Sequence, residues 1–470
     1  YDRDNTTMID FPMCDFCESE YTELTDRRYH AQTISCHDCG PQLELKLNGG
    51  TGDFSVNEIK TPADAGNAVL DQAAELLKGG AVLAFKSMGG YNLICDPLND
   101  DAVAKLREIK KREQKPFAVM FRSIEQVREF CYTTEAEEKL LASSARPILL
   151  LEHKPSGSAE INKSRFIGSF LPSMGAQYML LDRISPLIVT SANLSSMPII
   201  KDDEEMETLM EREPLIKGCI SNKRRIQVRV DDSVARVIDG QPQMIRRSKG
   251  YAPVPLYVSV GGQNAGGLEK LQILATGAQL KNSFALTKGP FVYVSQFFGD
   301  MDSLENQTVY EENVDRMAEL FRINPEMVVC DMHPLYYTTE FAKKYAGGSL
   351  PVLQVQHHHA HVASVMAEHD LQGPVIGVSM DGTGYGTDGA IWGGEFLLCE
   401  GGKFERKDHL RYVKMLGGDS SMKEGWKSAV SYLHAWENGY GEDGEGIALD
   451  LSDIIEFAKK REDRKWPGEQ

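Results

Sequence analysis

The sequence has no run of about 18 apolar residues, the length needed to cross the hydrocarbon core of a membrane, so no membrane span is predicted. It also lacks an excess of positive charge. Its formal net charge is −18, which disfavours extended, non-specific binding to nucleic acid phosphates. The first residues have no starting methionine and neither the basic nor the apolar part of a signal peptide. We therefore expect a fragment whose native start lies upstream.

The number and spacing of the cysteines also do not suit a disulfide framework. The chain has nine cysteines, an odd number, of which four lie within the first forty residues. The other five are scattered singly, which is typical of small buried apolar residues in a reducing compartment. We expect a cytoplasmic protein with one cysteine-based metal site.

The four clustered cysteines have the spacing of a metal site. They form two C-x2-C pairs, Cys14-Asp-Phe-Cys17 and Cys36-His-Asp-Cys39, separated by 18 residues. Each pair lets two thiolates of one turn face a common centre, and two pairs supply a closed tetrahedral site. The spacing predicts structural Zn²⁺ bound by Cys14, Cys17, Cys36 and Cys39, with no open position for chemistry.

At 470 residues the chain is too long for one hydrophobic core, so several domains are expected. Residues 64–78 show the periodicity of an amphipathic helix, and residues 81–85 are typical of a buried strand. Alternation of such segments favours a multidomain α/β protein. Glycines and prolines in 250–267 indicate a linker. The predicted domains are 1–50, 60–255 and 268–470.

Positive charge is concentrated in two stretches of this acidic chain, 105–115 and 223–249. Two short turns, Lys86-Ser-Met-Gly-Gly90 and Thr190-Ser-Ala-Asn193, each follow a predicted strand. Backbone N–H groups and hydroxyls in such turns bind phosphate, and nearby arginine and lysine neutralise it. The combination predicts a polyphosphate site between residues 60 and 255.

Four of the eleven histidines fall within His357–His361, where a predicted helix follows a predicted strand over 352–356. His357 and His361 are one helical turn apart and can bind one metal through neutral imidazoles. Asp381 ends another apolar strand, before a glycine-rich turn, and can supply a third ligand. Two histidines and one carboxylate leave open positions for catalysis and suit Fe, Zn or Mn equally.

These motifs resemble those of HypF-type carbamoyltransferases, which mature NiFe-hydrogenases. The cysteine segment is similar to that family's second zinc finger, and residues 86–234 are similar to its YrdC-like domain. The segment from Thr276 to Glu395 is similar to its carbamoyl-transfer domain, which has the actin-like ASKHA fold. The resemblance implies a zinc finger (1–50), a YrdC-like domain (60–255) and part of the ASKHA-like domain (268–470).

The resemblance also implies substrates and roles. ATP with Mg²⁺ and carbamoyl phosphate would form carbamoyl adenylate in the YrdC-like domain. The residues expected to contact it are Lys86, Lys111, Arg112, Lys115, Ser191, Asn193, Arg224 and Arg229. His357, His361 and Asp381 would be the catalytic metal ligands, and the carbamoyl group would pass to the C-terminal cysteine of a HypE-like acceptor protein. Because the chain stops within one lobe of the last domain, we expect weak transfer activity.

Two alternatives stay open. One is a threonylcarbamoyl-adenylate synthase and transferase fusion that acts in tRNA modification, which the net charge and the finger disfavour. The other is a non-catalytic, zinc-bearing scaffold that docks a partner protein.

Overall fold

The computed structural model of the chain describes residues 3–49, 54–56, 62–112, 115–155, 158–193, 197–259, 270–418 and 420–438. Two compact units are present. The first comprises Tyr1–Leu256 and Gln272–Glu326, and the second comprises Tyr257–Leu271 and Met327–Gln470. No helix among the described residues combines the length and the apolar content that a membrane crossing requires. Much of the predicted linker, residues 260–267, lies outside the described residues.

The helices of the first unit are α1 (Asp15–Thr22), α2 (Pro62–Lys78), α3 (Asp100–Lys110), α4 (Ile124–Phe130), α5 (Glu135–Ala142), α6 (Gly175–Leu181), α7 (Asp203–Arg212) and α8 (Leu304–Phe321). The first eleven strands are β1 (Glu44–Asn48), β2 (Phe54–Val56), β3 (Val82–Lys86), β4 (Tyr91–Cys95), β5 (Val119–Met120), β6 (Ile148–Glu152), β7 (Phe166–Phe170), β8 (Leu187–Ser191), β9 (Ile216–Ser221), β10 (Val234–Ile238) and β11 (Gln241–Arg246). After β12 (Leu256–Tyr257) come β13 (Ile273–Ala275), β14 (Ala285–Lys288) and β15 (Phe291–Val294).

A mixed eleven-stranded sheet runs through the first unit in the order β11-β10-β6-β7-β5-β8-β4-β3-β9-β1-β2. Side chains of β3 alternate between its two faces, as the pleat of a strand requires. Val82 and Ala84 pack into one hydrophobic core with α3, and Leu83 and Phe85 pack into another with α2. Helices therefore cover both faces, which explains why the β3 sequence is apolar without interruption.

The elements of the second unit are β16 (Met327–Asp331), α9 (Tyr337–Ala346), β17 (Val352–Val355), α10 (His357–Glu368), β18 (Val375–Ser379), β19 (Gly384–Tyr385), β20 (Ile391–Trp392), β21 (Glu395–Glu400), β22 (Lys403–His409), α11 (Ser420–Lys423) and α12 (Gly425–Asn438). Strands β16 and β17 are parallel, with Asp331 opposite Val355. Because parallel strands end at the same edge of a sheet, Asp331 lies beside the first turn of α10.

Helix α10 packs on the antiparallel strands β18 and β21. A Cβ atom on Gly377 of β18 would lie 2.3 Å from Val362, so only glycine permits this close approach. The apolar sequence of β18 predicts a strand that is buried on both faces. In the structure one face is buried and the other is exposed. Ile376 and Val378 are exposed, because only alternate residues of β18 face α10.

Candidate metal centres and anion cavity

The four clustered cysteines converge at the start of α1. Cys14 is the residue before the helix, Cys17 lies buried in its first turn, and the other two come from the 36–39 loop. The Sγ–Sγ distances are 3.6 Å for Cys14–Cys36, 3.8 Å for Cys36–Cys39 and 3.7 Å for Cys17–Cys39. A tetrahedral zinc ion with Zn–S bonds of about 2.3 Å separates its sulfur ligands by about 3.8 Å. The cluster therefore fits a closed Zn²⁺ site.

The finger is attached to the large sheet of the same unit by arginine side chains. Arg224 donates a hydrogen bond from Nε to Thr7 Oγ1 at 2.8 Å, and Arg225 pairs with Asp10 at 2.6 Å. Arg3 is buried within the finger and donates to the carbonyl oxygen of Ile34. These contacts place the guanidinium of Arg224 against the finger.

The second cluster lies at the start of α10. The Nε2 atoms of His357 and His361 are 3.3 Å apart, and Asp381 Oδ2 lies 2.8 Å and 3.7 Å from them, respectively. Atoms that share a metal at about 2.1 Å lie about 3.0–3.4 Å apart at octahedral or tetrahedral angles. The three observed distances bracket this range, so one carboxylate and two imidazoles are placed where small side-chain shifts would let them hold a divalent cation. The structure brings together the three residues that the sequence predicts.

Asp331, which the sequence analysis does not include, completes this centre. Its Oδ2 atom lies 2.6 Å from Nδ1 of His357, and both side chains are shielded from solvent. Hydrogen bonds to Asp331 and Asp381 raise the pKa of His357 to about 9. The two carboxylates thus favour positive charge at this point, whether a proton or a metal supplies it. The signal that could have identified Asp331 is an apolar strand ending in an aspartate, as at Asp381.

The remaining histidines of the run are buried and do not belong to the three-residue cluster. His358 packs against the turn that follows Asp381, because a Cβ atom on Gly384 would lie 2.5 Å from its ring. His359 packs on Phe404 with ring centroids 4.9 Å apart. Their packing fixes the rotation of α10, which points His357 and His361 towards Asp381.

A cavity of about 1090 Å³ opens in the first unit. Its lining includes eight basic and three acidic side chains, although the whole chain carries a net charge of −18. The basic residues are Lys110, Lys111, Arg112, Lys115, Arg246, Arg247, Lys249 and Lys281. Such a concentration of positive charge in a concave, partly shielded site favours a polyanionic ligand.

Lys110, which is not among the residues predicted to contact ATP, organises one wall of the cavity. Its buried ammonium group donates hydrogen bonds to the carbonyl oxygens of Ser191 and Asn193 and to Asn193 Oδ1. Burial lowers the pKa of Lys110 to about 8. Helix α3 ends at this residue, so Lys110 faces inward, whereas Lys111 caps the helix in a left-handed conformation and lies exposed at the rim.

Five of the eight residues predicted to contact ATP line the cavity, namely Lys111, Arg112, Lys115, Ser191 and Asn193. Three are held elsewhere by other partners. Lys86 is buried against Asp203 at 2.5 Å, and Arg224 contacts the finger. Arg229 donates to the carbonyl oxygen of Ile199 at 2.9 Å and pairs with Glu205. They do not line the cavity in this structure, and the prediction that these three contact nucleotide stays a prediction.

Comparison with known families gives an ordered set of matches. Residues 13–46 match the HypF finger, and residues 75–248 match the Sua5, YciO and YrdC family described as "Telomere recombination". Residues 269–368 match the HypF Kae1-like domain, and residues 377–463 match the second subdomain of the Kae1-like carbamoyltransferase domain. A cysteine finger, a YrdC-type domain and a Kae1-like domain in one chain define a class of multidomain α/β enzymes.

Individual relatives specify the family within that class. The carbamoyltransferase HypF of Rhizobium leguminosarum bv. viciae is 37% identical over 371 residues, which are 76% of this chain and 47% of that protein. HypF of Synechocystis sp. is 36% identical over 94% of this chain and 61% of its own length. A crystal structure of full-length HypF in a phosphate- and nucleotide-bound form matches with a TM-score of 0.83 and 38% identity, covering 98% of this chain and 58% of that one.

The chain belongs to the HypF carbamoyltransferase family, which confirms the resemblance inferred from its motifs and the predicted α/β class. It spans about half to three fifths of the length of the curated relatives that it matches.

Proposed function

We propose that this chain provides the ATP-dependent adenylation centre of a carbamoyltransferase that acts in NiFe-hydrogenase maturation. The observation that carries the proposal is the basic cavity in an otherwise acidic chain. Its wall joins Lys110, Arg112, Ser191 and Asn193, three of which the sequence motifs already associate with nucleotide binding. The substrates that fit this chemistry are ATP with Mg²⁺ and carbamoyl phosphate.

The proposed reaction has two steps, of which the second, formation of carbamoyl adenylate, takes place in the cavity. Water first releases phosphate from carbamoyl phosphate and leaves carbamate, whose oxygen then bonds to the α-phosphorus of ATP. The bond from that phosphorus to the bridging oxygen breaks, and pyrophosphate leaves. Arg112 and Lys115 neutralise the phosphates, and Lys110 holds the Ser191–Asn193 turn so that its hydroxyl and amide groups are oriented in advance.

Transfer of the carbamoyl group is proposed at the second centre. His357, His361 and Asp381 would hold a divalent Fe, Zn or Mn ion, and Asp331 would orient the imidazole of His357. A bound metal supplies a Lewis acid for a carbonyl or phosphoryl oxygen. The proposed acceptor is the C-terminal cysteine thiol of a HypE-like protein. Structural Zn²⁺ in the finger and a cytoplasmic location complete the proposal.

The test is pyrophosphate exchange into ATP by the purified chain. Exchange that depends on carbamoyl phosphate, and that falls at least tenfold in Arg112→Ala, is the expected result. Exchange that depends instead on threonine and bicarbonate would identify the tRNA-modification chemistry. If neither substrate supports exchange and Arg112→Ala binds ATP as the wild type does, the chain is a scaffold and the proposal is wrong.

A further inference from the structure

One lysine of the cavity comes from a part of the chain well beyond the YrdC-type segment. Lys281 lies in the turn between β13 and β14 and lines the cavity together with Ser283, Gly299 and Asp300. The YrdC-type match ends at residue 248, before this turn begins. The segment from 281 to 306 therefore contributes a wall, and a charge, to a cavity whose other basic residues precede residue 250.

Hydrogen bonds hold this turn in one conformation. The backbone N–H of Lys281 donates to Asp300 Oδ1 at 2.9 Å, and that of Asn282 donates to the carbonyl oxygen of Gly299 at 2.8 Å. The buried amide of Asn282 donates to the carbonyl oxygens of Ala278, at 2.6 Å, and Thr276, at 3.1 Å. A charged side chain on so constrained a backbone is positioned before a ligand arrives, which reduces the entropy lost on binding.

The backbone of Lys281 is in the left-handed region, with φ of 49°. A residue with a Cβ atom is strained there by about 1 kcal/mol, whereas glycine and asparagine adopt this conformation readily. Lysine is therefore not the residue that the turn itself favours. Arg322, which ends α8 with φ of 50°, has the same backbone conformation and charge and does not line the cavity.

In the described part of the chain, the cations around Lys281 are not held in close ion pairs. Among the described residues, none of Arg112, Lys115, Arg246 and Lys281 forms a salt bridge within 4.0 Å. The guanidinium of Arg246 instead lies 4.6 Å above the ring of Phe297, a residue of the same wall as Lys281. Burial and the charges of Arg112, Arg246 and Lys281 lower the pKa of Lys115. Their mutual repulsion would be relieved by an anion carrying several charges.

We infer that Lys281 contacts the terminal phosphates of the nucleoside triphosphate, and the pyrophosphate product, across the cavity from the Lys110 wall. This inference rests on the proposed function, since it deepens the adenylation site. An anion of more than one phosphate can reach both walls, whereas a nucleoside monophosphate held at the Ser191–Asn193 turn would leave Lys281 without a contact. Lys281 therefore determines preference for the triphosphate and for pyrophosphate over the monophosphate.

The experiment measures binding of ATP, pyrophosphate and AMP to the purified chain by calorimetry. Lys281→Asn removes the charge and suits the left-handed backbone, so its folding is preserved, and Lys281→Gly serves as a second variant. Arg322→Asn is the matched control, because it removes a positive charge from the same backbone conformation outside the cavity. Thermal melting of each variant establishes that the fold is intact.

Lys281→Asn is expected to weaken the binding of ATP and of pyrophosphate about tenfold, which is the loss expected when one charge-assisted hydrogen bond is removed. Its affinity for AMP should fall less than twofold. Arg322→Asn should bind all three as the wild type does. Unchanged ATP and pyrophosphate affinity in Lys281→Asn, or an equal loss for AMP, overturns the inference. If Arg112→Ala still abolishes ATP binding in that case, the proposed function stands. If the wild-type chain does not bind ATP, both the inference about Lys281 and the proposed function are wrong.

Discussion

The hydrogen bond that His357 donates to Asp331 gives the most direct prediction for the second centre. Asp331→Ala removes the carboxylate that lies 2.6 Å from Nδ1 of His357. The imidazole then loses both the partner that fixes its tautomer and the negative charge that raises its basicity. Side-chain exposures of 16% for His357 and 6% for Asp331 indicate that water replaces the lost contact poorly.

The expected loss of metal affinity in Asp331→Ala is about 10- to 100-fold, or about 1.4–2.7 kcal/mol, as for other carboxylates that orient a ligating histidine. Asp331→Asn keeps an acceptor oxygen but removes the charge, so its affinity should fall between those of Asp331→Ala and the wild type. The measurement is chelator competition with Fe²⁺, Zn²⁺ and Mn²⁺, followed by metal analysis of the purified chain.

Two controls make this result decisive. His357→Ala should abolish binding at the centre, and Glu368→Gln should have no effect, since Glu368 is exposed at the far end of the same helix. Affinity within twofold of wild type for Asp331→Ala, alongside complete loss in His357→Ala, would refute the argument that Asp331 positions the ligand.

Three further predictions concern the first unit. Removal of Zn²⁺ by a strong chelator, or Cys36→Ser, should unfold the finger, as loss of circular dichroism and protease cleavage within residues 1–50 would show; an intact finger after metal loss would contradict this. Because burial lowers the pKa of Lys110 to about 8, its ammonium is charged below that pH and neutral above it. ATP affinity should therefore fall as pH rises from 7 to 9 in calorimetry, and Lys110→Met should bind weakly with little pH dependence in that range. Asp203→Ala should lower the free energy of unfolding in urea by about 2–4 kcal/mol, because it leaves the buried ammonium of Lys86 without a carboxylate and with only the carbonyl oxygen of Asn222 as a hydrogen-bond partner. Lys86→Met should cost less, since Asp203 is partly exposed and keeps the hydroxyl of Tyr91 as a donor; the reverse order would contradict a structural role for the pair.

The metal ligands could be predicted from sequence because their geometry is largely local. Two C-x2-C turns fix two sulfur pairs, and one helical turn fixes His357 beside His361. Asp331 could not be placed in the same way. Its position depends on the parallel pairing of β16 with β17, which brings residues 331 and 357 together although 25 residues separate them along the chain.

The positions of the cavity's basic side chains could not be predicted from the sequence either. Lys110, Lys111 and Arg112 are adjacent basic residues, and their sequence does not say which one faces inward. That depends on where α3 ends, because the last helical residue is buried and the next adopts a left-handed conformation at the rim. Lys86 shows a further contact that the sequence does not reveal. It is the last residue of β3 and precedes a glycine-rich turn, and its ammonium is paired with Asp203 from α7.

The sequence by itself determined the α/β class, the order of the domains, the family, and the residues whose spacing lies within one turn or one helix. Only the tertiary structure decided that Lys110 organises the cavity wall and that Asp331 supports His357. It also showed that Lys281 reaches the same cavity from a later segment of the chain. The physical reason is that spacing along the chain controls contacts within one element. Contacts between elements depend instead on strand pairing, helix rotation and the paired charges that turn side chains towards or away from a site.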